Sequence, residues 1–412
     1  MARAFSRRSL LRAAGWGAAA AARAAARLRL LVVSIDGLDH RYLRDSDKLG
    51  LRIPNLRRLR DEGRWAGGVV GVHPTVTWPS HKTIVTGVTP ERHGILSNNR
   101  PAAEGGERYW FTSLLKAPPL WDAAAQAGLK TAAIHWPVTV GARIDWNLPE
   151  YFRRRQGGGM DMDSTEEKAT AGLVARISRA YPSFPQEWVD DRVRALATIY
   201  LLQHEKPDLT LLHFIDHDDA AHQHGPFTTR ANAVLELTDE LLGLILGARP
   251  EGTVVAIVSD HGFERVDKVV NLWAAHRKRG QGGEIASFGT LAAAKDAGAA
   301  ELLRTLSAAG EAGVGREIPS EEVQRFAPTT LRSYTALFEP LPHFQFARSR
   351  EAPEETVPKG RGDHGYWPGR ADYRATFLLW GESIRRGGTP EVPMTSLAGE
   401  LAAILDLRFP AH

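Results

Sequence analysis

The chain has 412 residues, 43% hydrophobic and 24% charged, the proportions of a globular protein large enough for one big α/β core with an insertion. It contains no cysteine, which excludes disulfides, thiolate metal sites and a cysteine nucleophile. Its formal charge is +4, but five of the 52 basic residues and no acid fall in residues 1–26; the remaining 47 face 48 acidic residues, so composition makes no case for nucleic-acid binding.

In chain order, Ser6-Arg7-Arg8-Ser9-Leu10-Leu11-Arg12 is a twin-arginine pattern. A weakly apolar Ala/Gly stretch follows, interrupted by Arg23, with A-x-A cleavage options ending at Ala24 or Ala26. Residues 1–26 therefore read as a bacterial twin-arginine export signal, which implies passage through the twin-arginine machinery to a periplasmic or secreted location. No apolar run has membrane-spanning length. Leu28 to Asp36 is a nearly continuous apolar run ending in Asp-Gly, as expected of a buried parallel strand that presents a carboxylate at its C-terminal end. Pro54 opens a short helix that Gly63 ends.

The stretch His73 to Gly87 reads as strand, sharp turn and helix, with Thr77 at the helix start and Pro79 in its first turn. Taken alone, Thr77 is an ordinary helix cap. Its hydroxyl also lies where unpaired backbone N–H groups and the positive end of the helix dipole gather. Asn98 and Asn99 follow in a loop, Pro119 to Gly128 reads as a helix and Leu129 to Trp136 as a strand. Residues 150–185 are polar and irregular and are expected to form a surface excursion. Trp188 to Leu202 and Ala231 to Leu246 have helical periodicity, while Leu209 to Asp216 and Thr253 to Asp260 are apolar strands that end in acid. From Asn271 to Pro358 the pattern weakens into a small strand (Glu284 to Ala293), an Ala-rich helix (Ala299 to Ala309) and a mixed region, expected to be an inserted cap. A last strand (Ala375 to Trp380) and a C-terminal helix (Ser396 to Leu405) resume the main pattern. Strands alternating with helices imply a mostly parallel sheet covered on both faces.

Chemistry concentrates at strand ends. Asp36 ends one strand, Asp218 and His222 follow another, Asp260 and His261 end a third, and His364 lies in a Gly-flanked loop. Sites in open α/β sheets form outside the carboxyl ends of the strands, so these six residues should converge with Thr77. Three Asp and three His make two mixed N/O ligand sets that suit zinc, with manganese or iron open on donor type alone. Two such ions about 4 Å apart form the two-metal arrangement for in-line phosphoryl displacement. Each piece alone has an ordinary explanation as a turn former, cap or loop residue; the joint occurrence is the signal.

With those residues in view, the chain resembles the alkaline phosphatase superfamily, and within it the nucleotide pyrophosphatase/phosphodiesterase branch. The resemblance rests on Asp36-Gly37, P-T-V-T-W-P-S-H-K-T-I-V-T-G, H-G-I-L-S-N ending at Asn98, P-L-W at Trp121, Trp136-Pro137, Asp218…His222-Q-H-Gly225-Pro226, V-S-Asp260-His261-G and His364-G-Y. It covers residues 28–270 and 356–385. It implies an α/β, alkaline-phosphatase-like three-layer sandwich: a catalytic domain from 27–270 and 359–412 with a cap subdomain at 271–358. It implies a metal-dependent phosphodiesterase or nucleotide pyrophosphatase acting on a small phosphodiester or nucleotide substrate. Asp36, Asp260, His261 and Thr77 would hold one zinc ion, and Asp218, His222 and His364 the other. Thr77 would be the nucleophile of a covalent phospho-threonine mechanism, with Asn98 and the Thr77 N–H stabilising a non-bridging oxygen. Trp78 stands where the family has Phe and would stack on part of the substrate; Ser80 replaces Asn. His81, His93, His217 and His224 are expected to be structural or supporting. A phosphomonoesterase or phosphonoacetate-type hydrolase on the same core is the alternative, and a sulfatase is disfavoured because Thr cannot become formylglycine. A catalytically inactive binding protein is the reading from another class. Substrate specificity is expected in the cap and in loops 97–115 and 145–185.

Overall fold

A computed structural model describes residues 28–152, 162–184, 189–279 and 283–409; the twin-arginine segment lies outside them. The strands of the main sheet before the insertion are β1 (Arg29–Ile35), β2 (Arg64–Ala66), β3 (Thr131–Ile134), β4 (Trp146–Leu148), β5 (Leu209–Phe214) and β6 (Thr253–Val258). The insertion adds β7 (Ile285–Ser287), β8 (Ala292–Ala294), β9 (Val314–Glu317) and β10 (Ala336–Pro340), after which β11 (Phe377–Trp380) and β12 (Gly387–Thr389) return to the main sheet. The main order is β12-β2-β11-β6-β1-β5-β3-β4, and β11 runs against its neighbours. Central β1 pairs in parallel with β5 (Ser34 opposite His213) and with β6 (Ser34 opposite Val258). This register puts the C-terminal ends of β1, β5 and β6 at one level, where the three acid-ending segments leave the sheet.

The helices that matter are α1 (Pro54–Glu62), α2 (Thr77–Thr86), α3 (Leu120–Gln126), α4 (Leu173–Ala180), α5 (Asp191–Tyr200), α6 (Asp216–His224), α7 (Thr229–Ala248), α8 (Ala297–Ala309) and α9 (Leu397–Ile404). Alternate residues of a strand face opposite sides, and β1 is buried on both. Leu31, Val33 and Ile35 pack with Leu56 and Leu59 of α1 and with α5 and α7. Leu30 and Val32 pack with Ile84 and Val85 of α2, Trp121 of α3 and Leu401 of α9. The result is a three-layer α/β sandwich.

Two expectations need correction. Residues 150–185 are not simply a surface excursion: a helix (Met162–Lys168) and α4 lie there, and Leu173, Val174, Ile177 and Phe184 enter the main core. The polar flanking residues mask that stripe, which only packing against α5 and β4 gives a use. Glu284 to Ala293 is not one strand but the hairpin β7–β8, because the chain reverses at Gly289 with φ of 88°. The insertion builds its own antiparallel sheet, β7-β8-β10-β9, over a separate core with α8. Among the described residues no helix is long and apolar enough to cross a membrane.

Candidate metal centre and nucleophile

The six strand-end residues meet. His261 Nε2 lies 3.3 Å from Asp36 Oδ1, 3.0 Å from Asp260 Oδ2 and 4.0 Å from Asp218 Oδ1. His222 Nε2 is 3.4 Å from Asp218 Oδ2, and His364 Nε2 is 3.9 Å from Asp218 Oδ1. The His261 and His364 rings stack with centroids 3.7 Å apart. Asp218 and His222 share a face of α6 because residues four apart lie one turn above each other.

Two ligand groups emerge, Asp218–His222–His364 and Asp36–Asp218–His261, each with donor atoms within 4.8 Å of one another. Asp218 belongs to both, which places it between the two expected sets. Asp260 joins the second through its 3.0 Å approach to His261 and accepts the Gly37 N–H at 3.1 Å.

The donor set fits metal ions on three counts. The Nδ1–H groups of His222, His364 and His261 donate to the carbonyls of Gly362, Thr75 and Gly262 at 3.1, 3.2 and 3.2 Å. That aims all three Nε2 atoms inward, the usual support for a ligating histidine. Among the described residues, Asp36 Oδ1, Asp218 Oδ1, Asp260 Oδ2 and His261 Nε2 are buried with no hydrogen-bond partner, a costly state for polar atoms unless a cation satisfies them. The charges agree. Burial and the neighbouring Asp36 push the Asp218 carboxyl well above its ordinary range. Burial disfavours charge on His261, yet Asp260 and Asp36 outweigh it and raise its pKa well above the usual imidazole value.

Thr77 is the first residue of α2, and Val76 before it is extended with φ of −129° and ψ of 159°. The helix has no side-chain cap, so Thr77 is not the N-cap that an isolated threonine would suggest. Its N–H has no helical partner, because the first turn of a helix leaves its donors open. His81, one turn on, donates Nδ1–H to the Thr77 carbonyl at 2.8 Å, takes the Ser34 hydroxyl on Nε2 at 2.8 Å and lies 3.7 Å from Asp260. It therefore supports the site, as expected. Asn98 Oδ1 accepts the N–H of Trp78, the residue after Thr77, at 2.9 Å, whereas Asn99 forms a backbone bridge with Arg108.

Trp78 corrects an expectation. Its side chain is fully buried among Ile95, Tyr109 and Val138, and so does not offer an open face for stacking. Packing back against the loop after α2 consumes the ring. The more open aromatics here are Trp110, Tyr151 and Phe152.

The sequence reading missed the support behind Asp36. Buried His213 on β5 donates Nε2–H to Asp36 Oδ2 at 3.0 Å, and its Nδ1 lies 3.5 Å from Glu150. Burial opposes a charge on His213, but Asp36 and Glu150 outweigh it and raise its pKa to about 10. One titratable residue in the mostly apolar run L-T-L-L-H-F was the available signal; Glu150 gave none, since it sat in the stretch read as surface.

A sequence model of the type I phosphodiesterase / nucleotide pyrophosphatase family matches residues 30–367. The chain belongs to that family. Ectonucleotide pyrophosphatase/phosphodiesterase family member 3 of Rattus norvegicus is 25% identical over 248 residues, 57% of this chain and 25% of that protein. Venom phosphodiesterase 2 of Crotalus adamanteus is 25% identical over 260 residues, 58% of this chain and 27% of its own. The chain thus spans about a quarter of the length of these curated relatives. Murine ectonucleotide pyrophosphatase / phosphodiesterase 5 superposes with a TM-score of 0.62 at 20% identity over 93% of this chain and 96% of that one, which shows the shared alkaline-phosphatase-like fold.

Proposed function

We propose that this protein is a metal-dependent phosphodiesterase or nucleotide pyrophosphatase that works through a phospho-threonine at Thr77. The observation that carries the reading is the convergence of six Asp and His residues, with four orphaned buried donor atoms, at the start of α2. Asp36, Asp260 and His261 with Thr77 would hold one ion, and Asp218, His222 and His364 the other, zinc being the best match to the donors. Such ions supply Lewis-acid charge stabilisation to phosphoryl transfer.

The chain's own groups supply the rest. The Thr77 hydroxyl oxygen attacks phosphorus while its proton passes to solvent, the bond from phosphorus to the first alcohol or phosphate breaks so that this group leaves with the electron pair, and the remaining phosphoryl group becomes esterified to Thr77. Water then attacks, the phosphorus–Oγ bond breaks, and Thr77 regains its proton. Asn98 and the Thr77 N–H would donate to a non-bridging oxygen of the reacting phosphate, where negative charge must be held in the transition state. The α2 N-terminus adds its positive dipole end. The murine neighbour solved as an inactive threonine-to-alanine variant in complex with AMP supports both a threonine role and a nucleotide substrate.

The test is turnover by the zinc-loaded protein of a nitrophenyl nucleotide diester against the monoester and the sulfate. The diester should be preferred. Thr77→Ala should lower its kcat by about a thousandfold or more while zinc content is kept, and acid quenching should trap the nucleoside monophosphate esterified to Thr77 of the parent protein. Full activity in Thr77→Ala would end the covalent reading.

A further inference from the structure

Two loops meet over Trp78. In the first, Arg100 N–H bonds Glu107 O at 2.7 Å and Asn99 pairs with Arg108, so Arg108 returns beside the asparagine that holds the Trp78 amide. Its guanidinium carbon stands 5.5 Å from the Trp78 ring centre and 5.4 Å from that of Phe152, which comes from the second loop. Trp110 stands edge-on to Trp78, Tyr151 and Phe152 at 5.2, 5.1 and 5.1 Å. Lys168 Nζ lies 5.6 Å from the Tyr151 ring centre. Neighbouring Arg100 has Glu104 at 3.6 Å. The half-buried Arg108 guanidinium has neither a carboxylate nor a hydrogen-bond acceptor among the described residues.

We propose that Arg108 is a specificity-determining residue: its guanidinium receives a second anionic group, phosphate or carboxylate, carried by the organic part of the substrate. The inference rests on the phosphodiesterase reading above and narrows its substrate class.

Three occupants compete for this place. A planar base stacked on Trp78 is blocked, because that ring is completely buried. A quaternary ammonium headgroup would need open aromatic faces, but Arg108 already stands over Trp78 and Phe152, and Lys168 over Tyr151. A third cation there would meet two like charges in a partly desolvated setting. An oxyanion has the opposite balance. The rings hold the guanidinium through its carbon and leave its five N–H donors without a partner among the described residues, in the fork that matches a carboxylate or phosphate. Asn98 and Arg108 would then grip one substrate at two points, the first at the reacting phosphate and the second at the distal anion.

The experiment uses the full, zinc-loaded chain and four nitrophenyl phosphodiesters whose second alcohol is methanol, choline, lactate or thymidine 3′-phosphate. The lactate and thymidine 3′-phosphate esters, which separate carboxylate from phosphate, should have the higher kcat/KM, and the choline ester the lowest. Arg108→Ala should reduce kcat/KM for the favoured anionic ester by about 10- to 100-fold, mainly through KM, with less than about a threefold change for the methyl ester. Arg108→Lys should recover part of the loss, and Arg108→Glu should reverse the preference between anionic and choline esters. An equal fall for all four esters, or no advantage of either anion over methyl, would overturn the inference. Binding supplies a second readout that does not depend on turnover. Calorimetric titration of Thr77→Ala with AMP and with adenosine 3′,5′-bisphosphate should show about tenfold tighter binding of the bisphosphate, an advantage lost in Thr77→Ala/Arg108→Ala. Arg108-dependent binding without turnover of any ester would sink the phosphodiesterase reading and keep the anion site. Turnover without Arg108 dependence would do the reverse.

Discussion

His93 shows how much of the site's frame is set by single tautomers. Its Nδ1 accepts the Ile95 N–H at 3.2 Å, so the ring's proton is on Nε2, 3.2 Å from Thr83 Oγ1. Burial, with help from the charge of Lys82, lowers its pKa to about 3, and burial lowers that of His73 to about 4. Both rings are neutral in the folded protein and titrate near 6.5 when unfolded. The unfolded state therefore binds more protons at acid pH, and stability present above pH 6.5 is lost as pH falls towards the folded values. Each ring should contribute a slope approaching about 1.4 kcal/mol per pH unit in that window. His93→Asn keeps an acceptor for Ile95 and removes the titration. Urea unfolding of this variant between pH 6 and 4 should show a slope shallower by about that amount, and an unchanged slope would refute the assignment. The same scale shows what a residue list conceals. Asp36, Asp218, His222, Asp260, His261 and His364 were readable because strand ends and motif spacing point to them. His213 and Glu150 were not, because a single titratable residue in a strand is marked as functional only by the partner that folding puts beside it.

At the scale of elements, the Asp218–His222–His364 group depends on how closely two segments approach. A Cβ on Gly362 would lie 2.4 Å from the Ala221 carbonyl of α6 and 2.8 Å from Pro226. The missing side chain lets the Gly362–Asp363 strand lie against α6, where its carbonyl orients His222. His364 follows two residues later. Gly362→Ala should push this strand off α6, lower stability by about 1–3 kcal/mol and weaken the Asp218–His222–His364 group most. Zinc analysis of the folded variant should fall towards one ion per chain, while retention of the parent stoichiometry would show that the contact is not needed. Helix α2 makes the complementary point. Its start was legible from Pro79 and Gly87, and Gly87 closes it in the left-handed region at φ of 73°. That Trp78 turns inward was not legible, since helical phase alone does not say which neighbour covers a ring.

At the scale of the whole molecule, the inserted sheet is coupled to the catalytic end of the main one. Thr290 donates to the Gly365 carbonyl at 2.6 Å, Arg370 meets Glu339 of β10 at 3.1 Å, and fully buried Trp367 packs with Leu291 and Leu337. All three contacts act on the loop that carries His364. Trp367→Ala should cost about 3–5 kcal/mol in urea unfolding. It should also lower zinc affinity at the Asp218–His222–His364 group in the protein that remains folded. A stability loss with unchanged zinc affinity would mean that the insertion does not position His364.

What the sequence by itself determined is the local and the periodic: buried parallel strands that end in acid, helices bounded by Pro and Gly, and a motif order specific enough to resemble one family. These are legible because side-chain period, backbone freedom and donor chemistry are properties of neighbouring residues. Tertiary structure alone decided the rest. The shared register of β1, β5 and β6 makes six distant side chains one donor set with Asp218 at its centre. The helices hidden in 150–185 acquire a core to pack on. Trp78 is buried and the Arg108 guanidinium stands over its ring and that of Phe152, because burial is a relation between segments far apart in the chain.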